Sequence, residues 1–145
     1  MDNKDKALSL IAAASFIGSR PEGEYYSVSM FSSNVVIESY IGEESDYDSD
    51  HGEYVTTKSA VEVMADLRKA IGGTWDKQTN DYYFTLTREI APKVTVKLLV
   101  ARSEACTPKV VGSETVEVKD YDSCPTKTVT KDIVEWDCNP ILDHA

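Results

Sequence analysis

Between Glu43 and Tyr54 the chain reads EESDYDSDHGEY, placing Glu43, Glu44, Asp46, Asp48, Asp50 and Glu53 close together around His51. Carboxylates at this density suit three kinds of chemistry: coordinating a hard divalent cation, raising the basicity of the histidine, or presenting negative charge to a basic partner. The first is testable on spacing. A calcium loop of the EF-hand type needs oxygen ligands at positions 1, 3 and 5, glycine at 6 and glutamate at 12. With Asp46 at position 1, Asp48 and Asp50 fall correctly, but His51 occupies position 6 and Thr57 position 12. Shifting the frame to put Gly52 at position 6 makes Tyr47 the first ligand, so both frames fail. The second chemistry needs a nucleophile or an oxyanion donor beside the base. The chain contains no nucleophile elbow, phosphate-binding glycine loop, zinc-protease helix or kinase motif set, and its other histidine is His144, next to the last residue. An enzyme is therefore not expected, and no cofactor or metal is implied; a metal-dependent enzyme centred on His51 is the third-ranked reading.

The third chemistry agrees with the charge of the whole chain. Over 145 residues there are 15 basic and 25 acidic side chains, for a formal net charge of −10. Residues 1–56 carry 3 bases and 11 acids, residues 57–101 carry 7 and 5, and residues 102–145 carry 5 and 9. Such an excess repels phosphate and argues against direct nucleic-acid binding. The bases Lys58, Arg68, Lys69, Lys77, Arg88, Lys93 and Lys97 are too scattered to form a nucleic-acid groove. A partner with a basic surface is the expectation, including one that accepts the acids as a partial mimic of nucleic acid. Tyrosines 25, 26, 40, 47 and 54 stand among the acids, and tyrosine supplies rigid, amphipathic interface anchors. The expected partner-binding residues are Glu43, Glu44, Asp46, Tyr47, Asp48, Asp50, Glu53 and Tyr54.

Cys106, Cys124 and Cys138 leave 17 and 13 residues between them, without the short chelate loops that mark zinc sites. Their odd number argues against a secreted disulfide framework, and free thiols in a reducing cytosol are expected. No run approaches the roughly 18 apolar residues needed to span a bilayer. The apolar stretch at 7–18 follows Lys4 and Lys6, but Asp2 and Asp5 spoil the basic flank of a signal peptide. The chain is read as cytoplasmic, with this segment retained.

The elements that must hold these residues follow from periodicity. A helix is predicted from Asp5 to Ile17, with Leu8, Ile11, Ala12 and Ser15 on its inner face and Gly18 ending it. A second opens with the capping pair Ser59 and Glu62, carries Ala60, Val63, Met64, Leu67 and Ile71 at helical spacing, and stops at Gly72 and Gly73. Strand-like runs follow each helix, at 24–31 and 34–41 after the first and at 80–89 and 93–102 after the second. The predicted fold is α+β: two helix–β-hairpin units, 1–41 and 57–102, form one antiparallel sheet with both helices on one face. The stretch 42–56 joins them as a mobile, solvated acidic loop. Residues 103–145 form a C-terminal β-rich extension of the same domain, with irregular strands at 109–122 and 127–138.

In that extension, RSEACTPKVVGSETVEVKDYD followed by KDIVEWDCNPIL resembles the ending of small uncharacterised proteins encoded by tailed phages of actinobacteria. The resemblance covers roughly residues 100–142. It implies phage origin and action in a bacterial host cytoplasm, and it carries no activity or site residues. The function expected is a non-enzymatic acidic binding protein, a phage-encoded accessory factor that binds a host or phage protein. The alternative is a structural or assembly protein, a homo-oligomer joined through its C-terminal β arm.

Overall fold

A computed structural model describes residues 1–119 and 126–138. Helix α1 (Asn3–Ser19) starts where the Asp2 carboxylate accepts the Asp5 backbone N–H at 2.8 Å. Strands β1 (Ser27–Met30) and β2 (Val35–Ile41) form an antiparallel hairpin. Next come β3 (Glu44–Asp48) and β4 (Glu53–Lys58), which among the described residues pair only with each other. Helix α2 (Ala60–Ile71) is capped by the Ser59 hydroxyl, which accepts from Glu62 N. Strands β5 (Asp76–Thr79), β6 (Tyr83–Ala91) and β7 (Val94–Ala101) return to the main sheet. A helical turn, α3 (Arg102–Ala105), leads into the long strands β8 (Cys106–Lys119) and β9 (Thr126–Cys138). Sequence periodicity had not pointed to β5 or α3.

The main sheet has the order β1-β2-β7-β6-β5 and is mixed, because β2 and β7 run parallel. The α+β class holds, but the purely antiparallel sheet expected from the sequence is corrected. The register places Val35, Ile37, Val94, Val96, Leu98, Val100, Phe84 and Leu86 on one face. All eight are buried there with Ala13 of α1 and Ala60, Val61 and Met64 of α2, so both helices do cover the same face. A two-fold axis normal to the sheet would make the two central strands antiparallel, whereas one along the strands would put the helices on opposite faces. The observed arrangement permits neither, so the repeated helix–strand–strand order is not a symmetric duplication.

Two helix faces differ from the expected stripes. Helix α1 buries Ser9 and Ala13 and leaves Leu8 and Ile11 56% and 65% exposed, while Phe16 and Ile17 at its end pack against the core. Helix α2 buries Ala60, Val61, Met64 and Arg68, turning Val63 and Leu67 toward a lateral cleft. Its C-terminal end is held by Arg88, whose Nη1 donates to the carbonyls of Ile71 (3.1 Å) and Gly72 (2.7 Å). Gly72 and Gly73 have φ of 78° and 82°, a region that L side chains enter only with strain.

Strands β8 and β9 pair antiparallel from Cys106↔Cys138 to Lys119↔Thr126, with an irregularity at Val111. At roughly 3.4 Å per residue this is an arm of about 45 Å. Its root belongs to the core, since Ala105 and Cys106 are buried and Trp136 and Cys138 pack against the same cluster. The Arg102 guanidinium lies 3.7 Å from the centroid of the Trp136 ring, a cation–π contact. Cys106 and Cys138 form a disulfide, which corrects the expectation of free thiols and withdraws the cysteine argument for a reducing compartment. Cys124 and His144 lie outside the described residues. Among the described residues, no helix is long and apolar enough to cross a membrane.

Candidate functional site: an acidic hairpin and the cleft at its root

The acidic stretch is ordered β structure, not the mobile loop expected of six like charges. Its residues pair as Ser45↔Thr56, Asp46↔Val55, Tyr47↔Tyr54 and Asp48↔Glu53. Directly opposed residues share a face and alternate ones do not. Asp46, Asp48 and Glu53 therefore lie on one face with Val55, and Tyr47 and Tyr54 lie on the other. The two tyrosine rings meet edge to face at 5.2 Å between centroids, within the range in which aromatic pairs attract. This contact offsets the repulsion between Asp48 and Glu53, which stand directly opposite each other. Both faces are solvent-exposed, Tyr54 by 75%.

Asp48 organises the tip. Its Oδ1 accepts from the backbone N–H of Asp50 at 3.0 Å and that of His51 at 3.4 Å, and its Oδ2 lies 2.7 Å from His51 Nδ1. The His51 contact, aided by the two backbone donors, holds the Asp48 carboxyl below its ordinary range. Gly52, at φ 66°, donates to the Asp48 carbonyl and closes the turn. The His51 side chain is 72% exposed, and its contact with Asp48 serves the turn. Among the described residues, no three His, Cys, Asp or Glu side chains converge as metal ligands.

Glu43 and Glu44, at the hairpin root, line a cleft of about 480 Å³ between α2, the end of β2 and the segment after α1. Its floor includes Ile41, Val63 and Leu67, and Tyr25 and Tyr40 also line it. The two cations in the lining are already engaged. Arg20 forms a bidentate pair with Glu24, Nε–Oε1 at 2.8 Å and Nη2–Oε2 at 3.0 Å, and Lys58 Nζ lies 2.6 Å from Asp66 Oδ2. Burial alone would raise the Glu24 carboxyl, but hydrogen bonds from Arg20 and Tyr26 outweigh it and leave the group below its ordinary value. Burial, and then the bond to Glu24, push the Tyr26 phenol well upward. The Tyr26 ring also packs edge to face on Phe16 at 5.5 Å, so Tyr26 is structural and unavailable as an anchor.

The structure therefore divides the eight expected binding residues. Glu43 and Glu44 belong to the cleft, Asp46, Asp48 and Glu53 to one face of the hairpin, Tyr47 and Tyr54 to the other, and Asp50 to the tip. Sequence reasoning missed the cleft walls from Arg20, Asp66, Val63 and Leu67. Arg20 and Glu24 pair outside any helix, so their spacing was no sign of the contact, and nothing local links either residue to Lys58 or α2. Of the scattered bases, Arg68 is buried and Arg88 caps α2, which leaves fewer cations for any phosphate-binding surface. Compared with known proteins, the chain matches no family model, no curated protein and no solved structure.

Proposed function

We propose that the protein is a non-enzymatic binding factor that engages a basic surface of a host or phage protein through the β3–β4 hairpin. The observation that carries this reading is a hairpin exposed on both faces, acidic on one and tyrosine-bearing on the other. An isolated two-stranded hairpin is marginal in water, so order maintained without burial on the core suits a surface that contributes to a partner's interface. The acid supplies long-range attraction and orientation, and Tyr47 and Tyr54 supply desolvated contact area. Phage origin, action in the host cytoplasm and partial mimicry of nucleic acid are part of the same proposal. Capture of the tagged protein's partner from host and infected-cell lysates, repeated across a salt series, tests it. Stoichiometric capture by the wild type should be lost at high salt and in the D46N/D48N/D50N/E53Q variant. Capture that survives both removes the hairpin from the function.

A second reading, self-assembly, is favoured by the β8–β9 arm. Both of its outer edges lack a strand neighbour among the described residues, and Val110, Val111, Ile133 and Val134 are exposed on it. Ending the chain at Arg102 would remove core residues Ala105 and Cys106, so the informative variant replaces residues 111–133 by a short turn. Sedimentation of this variant and of the full chain tests the arm: a monomeric full chain at high concentration overturns self-assembly.

A further inference from the structure

We propose that the cleft at the hairpin root receives an arginine side chain of the partner, with an apolar neighbour of that arginine on the cleft floor. This rests on the reading of the hairpin as a partner-binding element and names the chemistry of the contact beside it. Charge complementarity carries it. The lining contains Arg20 and Lys58 against Glu24, Glu43, Glu44 and Asp66, a balance of two surplus negative charges. Arg20 is satisfied by Glu24, and Lys58 by Asp66. Glu44 adds weakly to the field on Lys58, whereas Glu43 and Glu44 have no side-chain ion pair among the described residues.

Two adjacent carboxylates and the exposed Tyr25 ring favour guanidinium over ammonium. A planar guanidinium can bond carboxylates in fork geometry while stacking on an aromatic face, and it is the more weakly hydrated cation. Tyr25 is 84% exposed, so its ring is open to such stacking, whereas the Tyr40 ring packs on Tyr83 on the other face of the sheet. Ile41, Val63 and Leu67 offer the apolar contact that a bare charged patch lacks. The cleft volume of about 480 Å³ falls within the range of sites that accept small ligands and side chains. The cleft is continuous with the hairpin through Gly42, Glu43 and Glu44, so one partner surface can meet both.

The test uses the full chain labelled with ¹⁵N and titrated to millimolar concentration with N-acetyl-leucyl-arginine amide. The citrulline analogue, isosteric and uncharged, is the control. Saturable shifts are expected at the backbone amides of Tyr25, Glu43, Glu44 and Leu67, with at least tenfold weaker binding of the citrulline probe. The E43Q/E44Q variant, altered at two exposed positions, should also bind the arginine probe at least tenfold more weakly, whereas D46N/D48N/D50N/E53Q should bind it like the wild type. Equal response to both probes, or an unaltered response in E43Q/E44Q, overturns the proposal. Loss of response only in the hairpin-face variant also overturns the cleft while leaving the hairpin reading intact.

Discussion

Replacing Arg88 with methionine tests how the cleft wall is held, because Arg88 anchors the end of the helix that carries Val63, Asp66 and Leu67. Methionine preserves much of the apolar stem and removes the guanidinium. One nitrogen, Nη1, serves both the Ile71 and Gly72 carbonyls, so the pair counts as one strong charge-assisted interaction of about 2–3 kcal/mol. Gly72 O retains the Trp75 Nε1 donor at 3.0 Å, which holds the loss near the lower end. A decrease of about 2 kcal/mol corresponds to roughly 6 °C in Tm for a chain of this size. A Cβ at Gly73 would overlap Cζ and Nε of Arg88. G73A should therefore cost about 1–2 kcal/mol for its positive φ and also displace the guanidinium, about 4 kcal/mol in all. The double variant should cost about 4 kcal/mol as well, since its clash has no guanidinium to displace. Urea unfolding of the oxidised protein, followed by tryptophan fluorescence with an unchanged m-value, measures all three. Trp75, 5% exposed and bonded at this cap, is the local reporter. An R88M effect below about 0.5 kcal/mol, or additivity of the two changes within about 0.5 kcal/mol, would refute the cap.

Tyr54→Ser removes the edge-to-face pair that opposes the Asp48–Glu53 repulsion, so amide exchange across residues 44–58 should accelerate several-fold while β2 and β7 are unchanged; equal protection in both proteins would dismiss the pair as a stabiliser. Leu98→Ala, at a fully buried site flanked in register by Ser39 and Leu86, should cost about 3 kcal/mol in the same urea assay, and a loss under 1 kcal/mol would contradict its central place. The disulfide closes a separation of 32 residues, so C106S/C138S should lose about 3–4 kcal/mol by loop entropy, read as a lower urea midpoint than the oxidised wild type. Arg20→Gln probes Glu24. A carboxyl lowered in the folded state contributes stability above its ordinary value of 4.5, and that contribution fades as pH falls through the lowered value. The wild-type advantage over R20Q should therefore be largest near neutrality and shrink on acidification below about pH 4; an advantage growing toward acid would reverse the assignment.

What was local was legible. The Asp5 to Ile17 run and the Ser59-capped segment read as helices because capping and helical spacing act within a few residues. The period-two runs at β6 and β7 read as strands for the same reason. The acid-rich stretch was found, but its hairpin was not, because six charges within a few positions outweigh a cross-strand tyrosine pair that exists only after folding. Its turn signal, Asp48 with Gly52, was present and was read as a test for calcium.

Strand direction, by contrast, leaves no mark on side-chain alternation, so only tertiary pairing decided that β2 and β7 are parallel. Helix rotation was decided in the same way. On α1 the approach of Ser9 and Ala13 to the sheet prevailed over the larger Leu8 and Ile11, and on α2 Val61 and Arg68 are buried while Val63, of the predicted stripe, stays outside the core cluster. The Cys106–Cys138 pair and the cleft depend on residues dozens of positions apart, which no window of sequence brings together. Local periodicity thus determined the α+β class, and charge determined the sign of the surface at the acidic stretch. The packing of distant segments decided the shape of that surface, because burial and pairing are properties of the folded neighbourhood and not of the residue alone.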